Sequence, residues 1–318
     1  MELFAYFCAL SKSIIYGTTV FFSGRLTESM DVLDLLALRF LLSFAVMWLL
    51  KITGVFKIKI GAKDFFVKNE RSPYIRNVLL AALFEPVLYM LLETVGISET
   101  TGVTTAVILS MSPVLSVIFE MLLLRERCSL LQKVFLGCGI FGTVYIALNT
   151  STTDGSNSVL GIVALFLAIM SGTMFAVFSR KSSKKFAPME ITYISCMLGA
   201  VAFNLANVIR HIAVGDILHY FDPYFKAENI VGFLFLGVAS TIIATAMNNY
   251  ALSRLQISTM TAFGGVSTFV TVIVGVIFNS EVLEYFHYIG FFFILLRMVG
   301  VSVISIRRDR AKTVNTKR

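Results

Sequence analysis

Lys12 and Glu85 stand well inside long apolar stretches of the chain. A charged side chain at the middle of a membrane-spanning helix costs about 2.5 to 3.5 kcal/mol to insert, so each one that persists there is a candidate for function. Lys12 lies about eight residues into the first stretch and Glu85 about nine into the third. At 1.5 Å of rise per residue both reach a depth of roughly 12 to 14 Å from the same membrane face. Such a pair can bind a charged or zwitterionic substrate or exchange a proton; the competing reading is an ion pair that locks two helices. Arg39 and Glu93 form a second candidate pair nearer the opposite surface, where a structural role is favoured. Arg297 and Glu120 also read as structural. Asn248 and Asn249 would add a hydrogen-bonding lining, or bridge neighbouring helices.

Backbone irregularity is the second pointer, because broken helix at membrane depth is tolerated only where it faces protein or a cavity. Pro86 follows Glu85 directly, has no N–H for the carbonyl of Ala82, and should kink its helix. Ser112 and Pro113 interrupt the fourth stretch, and Gly264, Gly265 and Thr268 the ninth. Interruptions at matching places in two halves mark binding sites and hinges in transporters. Close packing by small residues is the alternative.

The elements that must carry these residues follow from composition. Of 318 residues, 57% are hydrophobic and 14% charged, too few to coat a soluble globule. Ten apolar runs, each near the 20 residues needed to span a bilayer, fall at about 4–23, 33–51, 76–96, 101–123, 130–149, 158–179, 190–213, 230–252, 256–278 and 286–306. The runs are continuously apolar rather than alternating, which excludes a β-barrel and predicts an all-α membrane protein with ten transmembrane helices. Net charge is +8, and 21 Lys and Arg fall on one side of this arrangement against 3 on the other. The positive-inside rule then makes both termini cytoplasmic in an inner or plasma membrane, and no nucleic-acid partner is implied. Met1-Glu2-Leu3 lacks the basic start and cleavage site of a signal peptide.

Offsetting the chain by 155 residues aligns Ala9-Leu10 with Ala164-Leu165, Gly17-Thr18 with Gly172-Thr173, Val117-Ile118 with Val272-Ile273, and Glu126 with Glu281. That register predicts two five-helix repeats, 1–150 and 156–306, followed by a basic cytoplasmic tail, 307–318. An odd helix number per repeat requires inverted topology.

On these residues the chain resembles the ten-helix EamA-like branch of the drug/metabolite transporter superfamily. The stretch from Gly96 to Pro113 followed by Glu126 is similar to the family's fourth helix and loop glutamate, and Ala251 to Thr268 followed by Glu281 and Gly290 repeats the spacing. Arg39 matches an arginine the family often carries. Thr268 departs from a usual second proline and Phe135 from a usual glycine. The resemblance implies export or exchange of a small metabolite by alternating access, through a central cavity lined by helices 1 to 4 and 6 to 9.

Other classes fare worse. An intramembrane enzyme would need a nucleophile and base, a metal set or paired aspartates within spans. His211, His219 and His287 all lie at helix ends, and no aspartate lies deep in a span. Four unpaired cysteines suggest neither disulfides nor a metal cluster, and no cofactor is called for. A channel would favour rings of identical groups. An organophosphate or nucleotide-sugar transporter would need several converging cations, where only Lys12 and Arg39 are available; one lysine opposed by one glutamate suits a zwitterionic, amino-acid-like metabolite better.

Overall fold

A computed structural model describes residues 2–27, 29–56, 58, 72–99, 108–109, 111–123, 129–150, 158–279 and 284–316. The described residues form helices and turns and contain no strand. In order they are α1 (Glu2–Thr27), α2 (Val32–Ile52), α3 (Ser72–Ala82), α4 (Tyr89–Ser98), α5 (Ser112–Leu123), α6 (Leu130–Thr150), α7 (Val159–Ser182), α8 (Pro188–Val214), the single turn α9 (Asp222–Phe225), α10 (Ala227–Leu234), α11 (Thr245–Leu252), α12 (Ile257–Asn279) and α13 (Tyr285–Thr316). Wide, π-type turns at Leu83–Leu88 and Phe235–Ala244 join α3 to α4 and α10 to α11. Each of the ten apolar runs thus contains helix. Six segments, Leu3–Thr27, Val32–Ile52, Tyr74–Glu93, Val159–Ser182, Pro188–Val214 and Ala227–Leu252, are long and apolar enough to cross a bilayer. Large apolar side chains such as Leu3, Leu130 and Leu160 remain exposed, as lipid-facing surfaces require.

One helix end runs past its expected boundary, and another is set by a glycine. α13 continues to Thr316, into the segment expected as a tail, because Arg307 to Lys312 are mostly good helix formers with no Gly or Pro to stop them. α8 stops at Gly215, whose φ of 83° places it in the left-handed region that glycine enters without a Cβ clash.

The chain divides into two compact units that cut across the sequence repeats. One comprises residues 1–88 and 174–254, the other 89–173 and 255–318. In the first, Met47 of α2, Val78 and Ala82 of α3, and Ile191, Ile194 and Cys196 of α8 share an apolar core with Ile242. Phe40 and Phe203 pack at 5.4 Å between α2 and α8. Phe22 stacks on Phe235 at 4.5 Å, holding α1 to the second wide turn. In the second unit, Leu136 of α6, Ala262 of α12 and Val301 of α13 form one core and Ile108, Leu165 and Ile169 another.

A polar cluster ties the start of α2 to the end of α8. Asp34, 7% exposed, accepts from Asn207 Nδ2 at 2.9 Å and Arg210 Nη2 at 2.7 Å, and its Oδ1 lies 2.8 Å from His211 Nε2. Arg210 also pairs with Asp31, and His211 Nδ1 lies 2.8 Å from Asp216 Oδ1. Acid at a helix N-terminus and base at a C-terminus also suit both helix dipoles. Nearby, the Tyr220 hydroxyl donates to Asn204 Oδ1 at 2.6 Å, and burial pushes that phenol above its ordinary pKa, so it stays a donor. Asp34→Ala should destabilise the protein by about 3 kcal/mol, the low end of the range for breaking a buried pair because Arg210 keeps 27% exposure. Thermal unfolding in detergent checks this; an unchanged midpoint would show that the cluster holds nothing.

Candidate functional site

The first unit gathers most of the candidate residues. Lys12 and Tyr16 lie four residues apart on α1 and so share a face. The Lys12 ammonium stands 5.5 Å from the centroid of the Tyr16 ring. The Tyr16 hydroxyl lies 3.3 Å from Thr245 Oγ1 at the start of α11. Glu85 is close enough to act electrostatically on both Lys12 and Tyr16. Both are half-buried.

Glu85 reaches this position because the helix breaks under it. Its φ of −143° and ψ of 118° are extended, the region favoured by a residue before proline. Pro86 is buried against α8, where a Cβ on Gly199 would lie 2.9 Å from Pro86 Cγ and 2.6 Å from Phe40 Cδ1. The Phe84 and Phe178 rings stack at 5.7 Å with 4° between their planes, fixing the other side of the break. The carboxylate is therefore carried by a turn packed on two helices.

Arg39 is only 7% exposed and is engaged across the unit. Its Nε donates to Thr241 Oγ1 at 2.7 Å and its Nη2 to Ser240 Oγ at 3.0 Å. Thr19 of α1 donates to the same Ser240 Oγ at 2.9 Å, and Ser43 donates to the carbonyls of Arg39 and Gly237. The arginine thus binds α2 to the second wide turn. Asn249, fully buried, accepts from Ser179 Oγ at 2.7 Å and donates to Thr192 Oγ1 at 3.0 Å, joining α7, α8 and α11. Of its two readings, the helix bridge is the one these bonds describe. Asn248 is 8% exposed, and its side chain makes no hydrogen bond among the described residues.

The remaining candidates belong to the second unit. Glu93 accepts from the Tyr89 hydroxyl one turn back on α4 at 2.7 Å. Ser112 opens α5 and its carbonyl accepts from Ser116 Oγ. Pro113 is the second residue of α5, where its missing N–H has no intrahelical partner, and Ile108 and Leu109 are also helical, with a turn at Met111 before α5. The side chains of Pro113 and Thr268 lie outside the described residues, as does the whole of Glu126 and Glu281. α12 runs unbroken through Gly264 and Gly265. A Cβ on Gly264 would meet nothing within 4 Å, but one on Gly265 would lie 2.4 Å from Arg297 Nη2 and 2.5 Å from Ile294 Cγ2. Gly265 is thus a close-approach position. Arg297 itself is 4% exposed, with Gly139 of α6 on its other side.

Tyr16 is the member of the cluster that depth alone did not select. A tyrosine carries no insertion penalty comparable to a charge, and the chain has 11 of them. The signal available was its spacing of four from Lys12.

Among the described residues no set of three His, Cys, Asp or Glu is placed to hold a metal ion. Six apolar helical segments long enough to cross a bilayer define a multi-pass membrane protein. The family comparison agrees: the EamA-like transporter family matches residues 3–148 and again 159–305, and the chain belongs to that family. The two matches start 156 residues apart, one residue from the internal register of 155. The uncharacterized transporter YcxC of Bacillus subtilis (strain 168) is 29% identical over 299 residues, spanning 94% of this chain and 93% of the relative. A solved crystal structure of another protein, 15% identical, has the same fold with a TM-score of 0.74 over 95% of this chain and 98% of that one.

Proposed function

We propose that this protein is a secondary transporter that exports or exchanges a small zwitterionic, amino-acid-like metabolite by alternating access. The observation that carries the reading is the grouping of Lys12 and Tyr16 on α1 with Glu85 on the Leu83–Leu88 turn, which places an ammonium, a hydroxyl and a carboxylate from two segments within electrostatic reach of one another. A zwitterion presents a carboxylate to the lysine and an ammonium to the glutamate, so both charges find partners when water is excluded. Asn248 adds an amide on the same element as Thr245. Arg39, engaged by Ser240 and Thr241, is a poor second cation for an organophosphate. The ten spans form two inverted five-helix repeats, and both termini are cytoplasmic.

Two measurements test this. Protein reconstituted in liposomes preloaded with a mixture of neutral amino acids should show saturable uptake of a labelled member, stimulated by the internal pool; linear uptake indifferent to the pool would point to a channel. Reporter fusions should place the C-terminus inside and the loop around Asp154 outside. A C-terminal tag active only outside would sink the topology and the inverted repeat together.

A further inference from the structure

A groove of about 540 Å³ runs along the first unit between α2 and α8, walled by Leu41, Phe44, Val201 and Val208 and closed at one end by Ile217 and Phe221. Its two walls belong to apolar membrane-spanning segments, and Val201 and Leu41 are 63% and 36% exposed, so the medium outside it is hydrocarbon. From Ala200 to Val208 the groove follows nine residues of α8, about 12 Å at helical rise. That is close to the ~15 Å depth of one leaflet's hydrocarbon.

The two polar side chains in the wall are already satisfied. Asn204 Nδ2 donates to the carbonyls of Ala37 and Ala200, and its Oδ1 takes the Tyr220 hydroxyl. An occupant therefore gains nothing by bringing hydrogen-bonding groups inside, and loses their hydration if it does. The closed end behaves differently. Leu218 and Phe225, 90% and 80% exposed, flank Phe221 on a connection that also carries the exposed pair His219 and Asp222 at 2.6 Å. Apolar side chains beside an exposed, hydrogen-bonded polar pair suit the boundary between acyl chains and headgroups. Arg210 and Asp31 form a second, partly exposed pair two residues beyond Val208.

We propose that this groove is a lipid site: one acyl chain of a zwitterionic phospholipid lies along α8, with the headgroup at the Ile217–Phe225 connection, near the partly exposed Arg210–Asp31 pair, whose opposite charges match its phosphate and amine. The site is separate from the Lys12 cluster, and its failure would leave the transporter reading untouched.

Trp48 makes the test direct. It is the chain's single tryptophan, 51% exposed, one turn along α2 from Phe44. The full chain, stripped of lipid in detergent micelles, is titrated with phosphatidylcholine brominated on its acyl chain while Trp48 fluorescence is followed. Saturable quenching at close to one lipid per chain is expected, and glycerophosphocholine, which lacks chains, should not compete. Filling the groove with Leu41→Phe and Val201→Phe should raise the lipid needed about tenfold, and both positions are exposed enough to accept the change without refolding the core. Circular dichroism and gel filtration establish that the variant is folded; Val201→Ala, which widens the groove, should still saturate. Non-saturating quenching that is the same in wild type and filled variant would overturn the site, and competition by glycerophosphocholine would overturn the acyl-chain assignment.

Discussion

Glu85→Gln and Lys12→Met should each abolish exchange by the reconstituted protein, while Tyr16→Phe should lower it only about two- to tenfold. The ranking follows from what each change leaves behind. Removing one member of the charged pair strands the other at membrane depth, at a cost of about 3 to 5 kcal/mol if the site stays dry. It also takes away the group that would meet one end of a zwitterion. Tyr16→Phe removes only a hydroxyl whose bond to Thr245 is long at 3.3 Å, and a neutral hydrogen bond is worth about 0.5 to 1.5 kcal/mol net. Stability and function separate in the double variant Lys12→Met/Glu85→Met. With no charge stranded, its abundance in the membrane should approach that of wild type, but exchange should stay absent. Recovery of both abundance and exchange would show that the pair only fastens α1 to the turn before α4.

The sequence carried depth well and direction poorly. Each of the ten apolar runs contains helix among the described residues because backbone in hydrocarbon has few alternatives, and a run near 20 residues announces itself without reference to the rest of the chain. Depth also put Lys12 and Glu85 at one level, and in the fold the carboxylate acts electrostatically on the lysine. The partners of Arg39 were not legible in the same way: Ser240 and Thr241 lie some two hundred residues away and contact it only because Phe235–Ala244 turns wide there. Asn249 shows the same limit, since its bonds to Ser179 and Thr192 depend on how three helices are rotated. The compact units are a further example. Repeats follow chain order, whereas α7 contributes its first part to one unit and its second to the other. At Pro113 a proline marks the place in sequence, and the fourth stretch turns at Met111 between helical Ile108–Leu109 and the start of α5.

Gly264→Ala and Gly265→Ala, adjacent and chemically identical changes, should have opposite effects. A methyl on Gly264 meets nothing within 4 Å, so the substitution adds helix propensity to α12, up to about 1 kcal/mol, without a clash. A methyl on Gly265 lands 2.4 Å from the Arg297 guanidinium and 2.5 Å from Ile294 Cγ2. The guanidinium cannot swing clear, because Arg297 is 4% exposed and its Cδ already lies 2.1 Å from where a Cβ on Gly139 would stand. Overpacking of this kind typically costs about 1 to 3 kcal/mol. Gly265→Ala should therefore lower the unfolding midpoint, and adding Arg297→Ala should restore much of the loss by clearing the space. If α12 flexes during transport, Gly264→Ala is the variant that reveals it, with slower exchange, unchanged substrate affinity and undiminished stability. An unchanged exchange rate in Gly264→Ala would rule out a hinge at that residue. A wild-type midpoint for Gly265→Ala would remove the close approach to α13 as the reason for a glycine at position 265.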